Sequence, residues 1–178
     1  MNNHIKISLA LLSVSLCQAA AKENKNDRPN IVIIYCDDMG YGDIGVTGHP
    51  DIKTPNLDRM ALDGMRFTNY YSASPASTAS RYSLLTGRYP VRAGFRWVLS
   101  PDAERGIHPR ELTIAELLKE QGYATAIYGK WHLGSTKKEY LPLQNGFDEY
   151  VGLPYSNDII PPKYQDIALI CGNDTLRM

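Results

Sequence analysis

The sequence predicts an α/β protein in which helices cover a sheet, and three observations carry that expectation. Asn30-Ile31-Val32-Ile33-Ile34-Tyr35-Cys36 is a continuous apolar, β-branched run, the pattern of a strand buried on both faces. Thr113-Ile114-Ala115-Glu116 is a capping box, the reciprocal hydrogen-bonding signature that opens a helix. Strand-like and helix-like segments alternate between and after these two, as they do when helices layer onto a sheet.

Each element has its own local reason. Thr54-Pro55-Asn56 supplies a cap and a first-turn proline, Leu57, Met60 and Ala61 give a helical stripe, and Gly64 closes it. Met65 to Tyr71 reads as a second strand. A further helix starts at Ser77, with helical spacing in Ser77, Arg81 and Leu84-Leu85, and Gly87 suits its end. After the capping box, Leu117-Leu118 continue a helix that Gly122 stops. Tyr123 to Tyr128 is strand-like and runs into Gly129-Lys130-Trp131-His132-Leu133-Gly134. From Pro154 onward the signal fades. Pro161-Pro162 reads as a turn, Ile167 to Ile170 as one more strand, and nothing after Ile170 looks like a closing element.

With 178 residues, one domain is the ceiling. The first 21 residues read as a signal peptide: Lys6 precedes an apolar stretch from Ile7 to Leu16, and Ala19-Ala20-Ala21 offers small residues for cleavage. The expected organisation is therefore a signal at 1–21 and one domain at 22–178, exported to the periplasm or the medium. The apolar run is too short to span a bilayer, so no membrane span is expected. A lipid anchor on Cys17 is the alternative, though bulky Leu16 before it suits that processing poorly. Lys plus Arg and Asp plus Glu each total 19, so no strong field points to nucleic acid as partner. Removal of the signal would leave Cys36 and Cys171. Cys36, at the end of an apolar run, is expected to be a buried small residue.

Three groups of residues can carry chemistry. Asp37-Asp38 lies at the carboxyl end of the first expected strand, the edge where open α/β sheets bind ligands, and paired carboxylates suit a hard cation such as calcium or magnesium. Adjacent strand residues face opposite ways, so both reach one ion only if the chain leaves the strand there. An ordinary acidic turn is the alternative. Ser77 sits at a helix start, where free N–H groups and the dipole hold an anion, with Arg81 one turn on. Spacing alone equally allows Ser77 to be a helix cap and Arg81 a surface base. Lys130 and His132, two apart, project to the same side of an extended segment, where Lys can hold an anionic oxygen and His can move a proton. Two polar residues facing water at a strand end are the alternative.

Ser74-Pro75-Ala76-Ser77-Thr78-Ala79-Ser80-Arg81 with Leu84-Leu85-Thr86-Gly87-Arg88-Tyr89-Pro90 is similar to the sulfatase signature. Asn30-Ile31-Val32 through Asp37-Asp38, Thr54-Pro55-Asn56-Leu57-Asp58 and Gly129-Lys130-Trp131-His132-Leu133-Gly134 match further sulfatase blocks in family order. The resemblance covers roughly residues 28 to 155 and looks most like the arylsulfatase A branch. It implies an alkaline-phosphatase-like α/β fold, incomplete in this chain, and hydrolysis of sulfate esters, aryl sulfates or sulfated glycans, with a bound calcium ion. It further implies that Ser77 is oxidised to formylglycine by a maturing enzyme and becomes both nucleophile and metal ligand. Asp37 and Asp38 match metal ligands, Arg81 a residue that steadies the nucleophile, and Lys130 and His132 sulfate-handling residues. Ala79 stands where the signature most often has Pro. Two further metal ligands, a second His and a second Lys of the family belong to a later region and find no match in 178 residues. A phosphate or phosphonate ester hydrolase of the wider superfamily and an inactive truncated fragment are the alternatives.

Overall fold

A computed structural model describes residues 28–156 and 168–176. The expected signal peptide, Cys17 and Pro161-Pro162 lie outside the described residues. These residues belong to two compact units, one ending at Met39 and the other starting at Gly40. No helix among the described residues is long and apolar enough to cross a membrane.

The first unit corrects two expectations. No strand forms over 30–36, and Val32 is 81% exposed. A β-branched run states a side-chain preference, but a strand also needs a laddered neighbour, and none is assigned to this run among the described residues. Cys36 is accordingly exposed rather than buried.

In the second unit three helices form where local signals place them. Helix α1 (Pro55–Asp63) follows Thr54, whose hydroxyl does not cap. It accepts instead from Gly45 N (2.8 Å) and donates to Asp58 Oδ1 (2.9 Å), tying the helix to the preceding 3₁₀ turn. Its stripe is narrower than expected, since Met60 is exposed and no α1 residue is fully buried. Helix α2 (Ser77–Thr86) ends at Gly87, whose left-handed φ of 65° lets its N–H reach Ser83 O. Helix α3 (Ile114–Glu120) has the expected capping box: Thr113 Oγ1 accepts from Glu116 N, and Glu116 accepts from Thr113 N. No strand forms over 65–71, and Phe67, Tyr70 and Tyr71 are exposed.

Four short strands make one mixed sheet in the order β1 (Ala126–Tyr128), β2 (Glu149–Gly152), β3 (Leu169–Cys171), β4 (Asp174–Leu176). β1 and β2 are parallel, with Ile127 opposite Tyr150, and the other pairs are antiparallel. β2 and β4 carry no apolar alternation that announces them. β4 supplies the closing element missed in the sequence, turning back on β3 at Gly172-Asn173.

The β1–β2 register continues as backbone bonds beyond the strands. Gly129 N donates to Val151 O (2.9 Å), Leu153 N to Gly129 O (3.1 Å), Trp131 N to Leu153 O (2.9 Å) and His132 N to Pro154 O (3.1 Å). Trp131, 1% exposed, donates its indole N–H to Tyr140 O (2.8 Å) and meets the Phe147 ring edge-on. Tyr82, Phe95, Leu99, Ile107, Leu133 and Tyr150 complete the core around it, and burial pushes the Tyr150 phenol up. Helix α3 is tied to the sheet by Lys119 and Asp148 (2.6 Å). That ammonium, with the Thr125 N–H and hydroxyl, holds the Asp148 carboxyl down to about 2.

Candidate active site

Ser77 occupies the first position of α2, after Ala76 as N-cap, and its hydroxyl makes no cap bond. Instead Ser77 Oγ accepts from Arg81 Nε (3.2 Å), one turn along the same helix. On its other side lies His132 Nδ1, at 3.1 Å. The remaining ring nitrogen, Nε2, is 3.2 Å from Leu99 O. A carbonyl only accepts, so Nε2 carries the hydrogen. In the neutral ring Nδ1 is then the acceptor, and the Ser77 hydroxyl donates to it while accepting from the guanidinium. The hydroxyl is thus polarised from both sides by residues that spacing alone could not bring together.

Arg81 is itself fixed, because its second nitrogen, Nη1, donates to Lys130 O (2.7 Å). The expected Lys130–His132 geometry needs revision. The segment is not a strand: β1 stops at Tyr128, and Gly129, His132 and Gly134 have φ of 101°, 61° and 113°. The two-residue alternation of an extended chain therefore does not govern where these side chains point. Lys130 joins the site through its carbonyl, and its side chain is half-buried. His132 is 3% exposed and held in a left-handed conformation uncommon for a side chain bearing Cβ. Its own N–H bonds to Pro154, and its ring lies 4.4 Å from that of Tyr155.

Thr78 was not singled out in the sequence, yet it holds the site together. Fully buried, it donates its hydroxyl to His132 O (2.9 Å) and accepts from Leu99 N (3.0 Å). One side chain of α2 therefore positions both the imidazole and the carbonyl that fixes its tautomer. The available signal was its adjacency to Ser77 on a helix whose next residues, Ala79 and Ser80, are also buried. Thr78→Val keeps the shape and removes the hydroxyl that bridges the buried His132 carbonyl and the Leu99 N–H. It should cost about 2–4 kcal/mol of stability, read from the shift in urea midpoint; a midpoint equal to the parent's would contradict this bridging role.

Asp37 and Asp38 belong to the first unit. Asp38 has φ of 54°, which breaks the strand alternation that would send adjacent carboxylates to opposite faces. The two are oxygen donors of the type calcium takes, but they fill only part of its roughly six to eight positions. No group of three or more His, Cys, Asp or Glu side chains suited to a metal occurs among the described residues. As donors, then, the pair would suit a hard cation in type and would supply part of a ligand set.

Comparison with known proteins shows the family to which the chain belongs. The family model described as Sulfatase matches residues 29–169. The chain is 49% identical over 132 residues to arylsulfatase A of Homo sapiens, covering 73% of this chain and 26% of that protein. It is 41% identical over 182 residues to N-acetylgalactosamine-6-sulfatase of Mus musculus, covering 93% and 34%. Among solved structures, one described under metabolism of multiple glycosaminoglycans by Bacteroides thetaiotaomicron superposes with a TM-score of 0.76. It shares 35% identity and is covered over 85% of this chain and 32% of its own. A sulfatase from Pseudoalteromonas sp. gives 0.67 at 34% identity, over 88% and 31%. The alkaline-phosphatase-like α/β fold class expected from the sequence is the one these neighbours carry. The chain spans between about a quarter and a third of the length of these relatives.

Proposed function

Since the chain belongs to the sulfatase family, we propose that the protein hydrolyses sulfate esters, with residue 77 as the nucleophile after oxidation of Ser77 to formylglycine. The observation that carries this reading is the Ser77 oxygen held between Arg81 Nε at 3.2 Å and His132 Nδ1 at 3.1 Å. Formylglycine, as its hydrate, supplies one hydroxyl to attack sulfur and a second to release the sulfate. Arg81 steadies the oxygen at position 77, and the α2 N-terminus favours negative charge there. His132, with Nε2–H committed to Leu99 O, offers Nδ1 to take or return a proton at that oxygen. Lys130 places a cation for a sulfate oxygen. Asp37 and Asp38 would hold calcium, which supplies Lewis-acid polarisation of the sulfate.

The substrate is a sulfate ester, either an aryl sulfate or a sulfated glycan. The names of two relatives, N-acetylgalactosamine-6-sulfatase and a structure described under metabolism of multiple glycosaminoglycans, support the glycan, and that of arylsulfatase A supports the aryl sulfate. The maturing enzyme is the partner this chemistry needs. Residues 1–21 act as a signal, and the mature domain from residue 22 is exported, to the periplasm or the medium. The test combines two measurements on the gene product matured in its own host. Peptide mass analysis should find residue 77 lighter than serine by two hydrogens, and 4-nitrophenyl sulfate should be cleaved in preference to 4-nitrophenyl phosphate. Unaltered serine in active enzyme would remove the nucleophile from the proposal, and preference for phosphate would remove the sulfatase reading.

A further inference from the structure

Between two buried side chains, Phe95 and Leu99, residues 96–98 form a short arch. Its far end belongs to the site: Leu99 N donates to Thr78 Oγ1 and Leu99 O accepts from His132 Nε2. Its near end is clamped as well. Phe95 packs on the Tyr82 ring (5.0 Å between centroids), its N–H reaches Pro90 O (2.9 Å), and the Arg105 guanidinium lies over its ring at 5.5 Å. Beyond Leu99 the chain stays strapped, through Thr136 Oγ1 to Ala103 O (2.7 Å) and Ile107 N to Leu133 O (2.7 Å).

On this fixed arch Trp97 is 65% exposed, in contrast to the buried Trp131. Arg96 beside it is exposed and makes no hydrogen bond or ion pair among the described residues. A lone exposed aromatic is ordinary on a protein surface. An indole and a guanidinium adjacent in sequence, two and three residues from the imidazole's anchor on a backbone held at both ends, give a recognition element whose backbone is ordered before binding.

We infer that Arg96 and Trp97 form a substrate subsite, beside the Ser77 site, for a sugar ring that carries a second anionic group. The inference rests on the sulfatase reading. The apolar C–H face of a pyranose covers the indole, and the guanidinium pairs with a carboxylate or a second sulfate through two parallel N–H bonds. An aryl leaving group would use Trp97 and leave Arg96 idle, so the pair selects a polyanionic saccharide over a simple aryl sulfate.

The test uses the full-length matured protein, its Trp97→Ala and Arg96→Ala variants, and calorimetric titration with three probes. These are a 6-sulfated disaccharide containing a uronate, its uronate methyl ester, and that ester bearing a second sulfate. Trp97→Ala should raise Kd for all three by about tenfold, and Arg96→Ala should do so for the first and third only. The methyl ester separates carboxylate from sulfate as the recognised anion. Unchanged Kd values in both variants, or no binding of any probe by the parent, overturn the subsite, and a neutral Arg96→Ala overturns its anion half. Both side chains are exposed, so urea midpoints should match the parent's. Release of sulfate from 4-nitrophenyl sulfate is followed in parallel: its absence while Arg96-dependent binding persists sinks the sulfatase reading alone, and its presence with unchanged binding sinks the subsite alone.

Discussion

Replacing Ser77 with alanine should abolish turnover of sulfate esters, lowering kcat by at least about 10,000-fold in the matured full-length protein. The substitution removes an oxygen on which Arg81 and His132 converge. It removes nothing that holds the site in place, because His132 is anchored through Thr78, Leu99 and Pro154 and Arg81 through Lys130 O. The variant should therefore keep its urea midpoint and its affinity for inorganic sulfate while losing catalysis. Initial rates on 4-nitrophenyl sulfate, measured beside the parent, provide the readout. Residual activity above about one per cent of the parent's would place the nucleophile elsewhere.

A second large effect is expected at a glycine of β2. Gly152→Ala would place a Cβ 1.9 Å from Gly129 O and 2.7 Å from Gly129 C, atoms of a backbone that is itself laddered to Val151 and Leu153. Neither side can retreat without breaking those bonds, so the clash should cost about 3 kcal/mol or more, the upper range for overpacking. The same shift would carry Trp131 and His132 with it, since both are bonded to the continuation of β2. Loss of stability and loss of activity should therefore appear together. Urea denaturation checks the first and sulfate release the second, and a parent-like midpoint would mean that residues 129 and 152 do not approach as closely as described.

Local signals were legible where the chemistry that decides them is local. The capping box at Thr113 and Glu116 and the glycine stop at Gly87 need only residues within one turn, and both helices form where the sequence places them. Strands obey a different rule. The runs at 30–36 and 65–71 have the composition of strands but are not assigned as such, whereas Glu149–Gly152 and Asp174–Leu176 form strands through their partners and not through their side chains. The site was legible only in pieces. Ser77, Arg81, Lys130 and His132 could be nominated from the family's ordered motifs, but no spacing announces a Ser–His contact across 55 residues. The left-handed backbone at His132, which invalidates the expected alternation with Lys130, follows from tertiary bonds and has no sequence signature of its own.

The Thr78 bridge also bears on the order in which this molecule folds. Helix α2 forms from contacts no more than four residues apart, but the bonds that make its first turn a site reach across 21 residues to Leu99 and 54 to His132. Closing such loops is the slow, entropically costly part of folding. Recovery of activity after denaturation should therefore lag recovery of helical signal, a delay that stopped-flow circular dichroism run beside the activity assay would read.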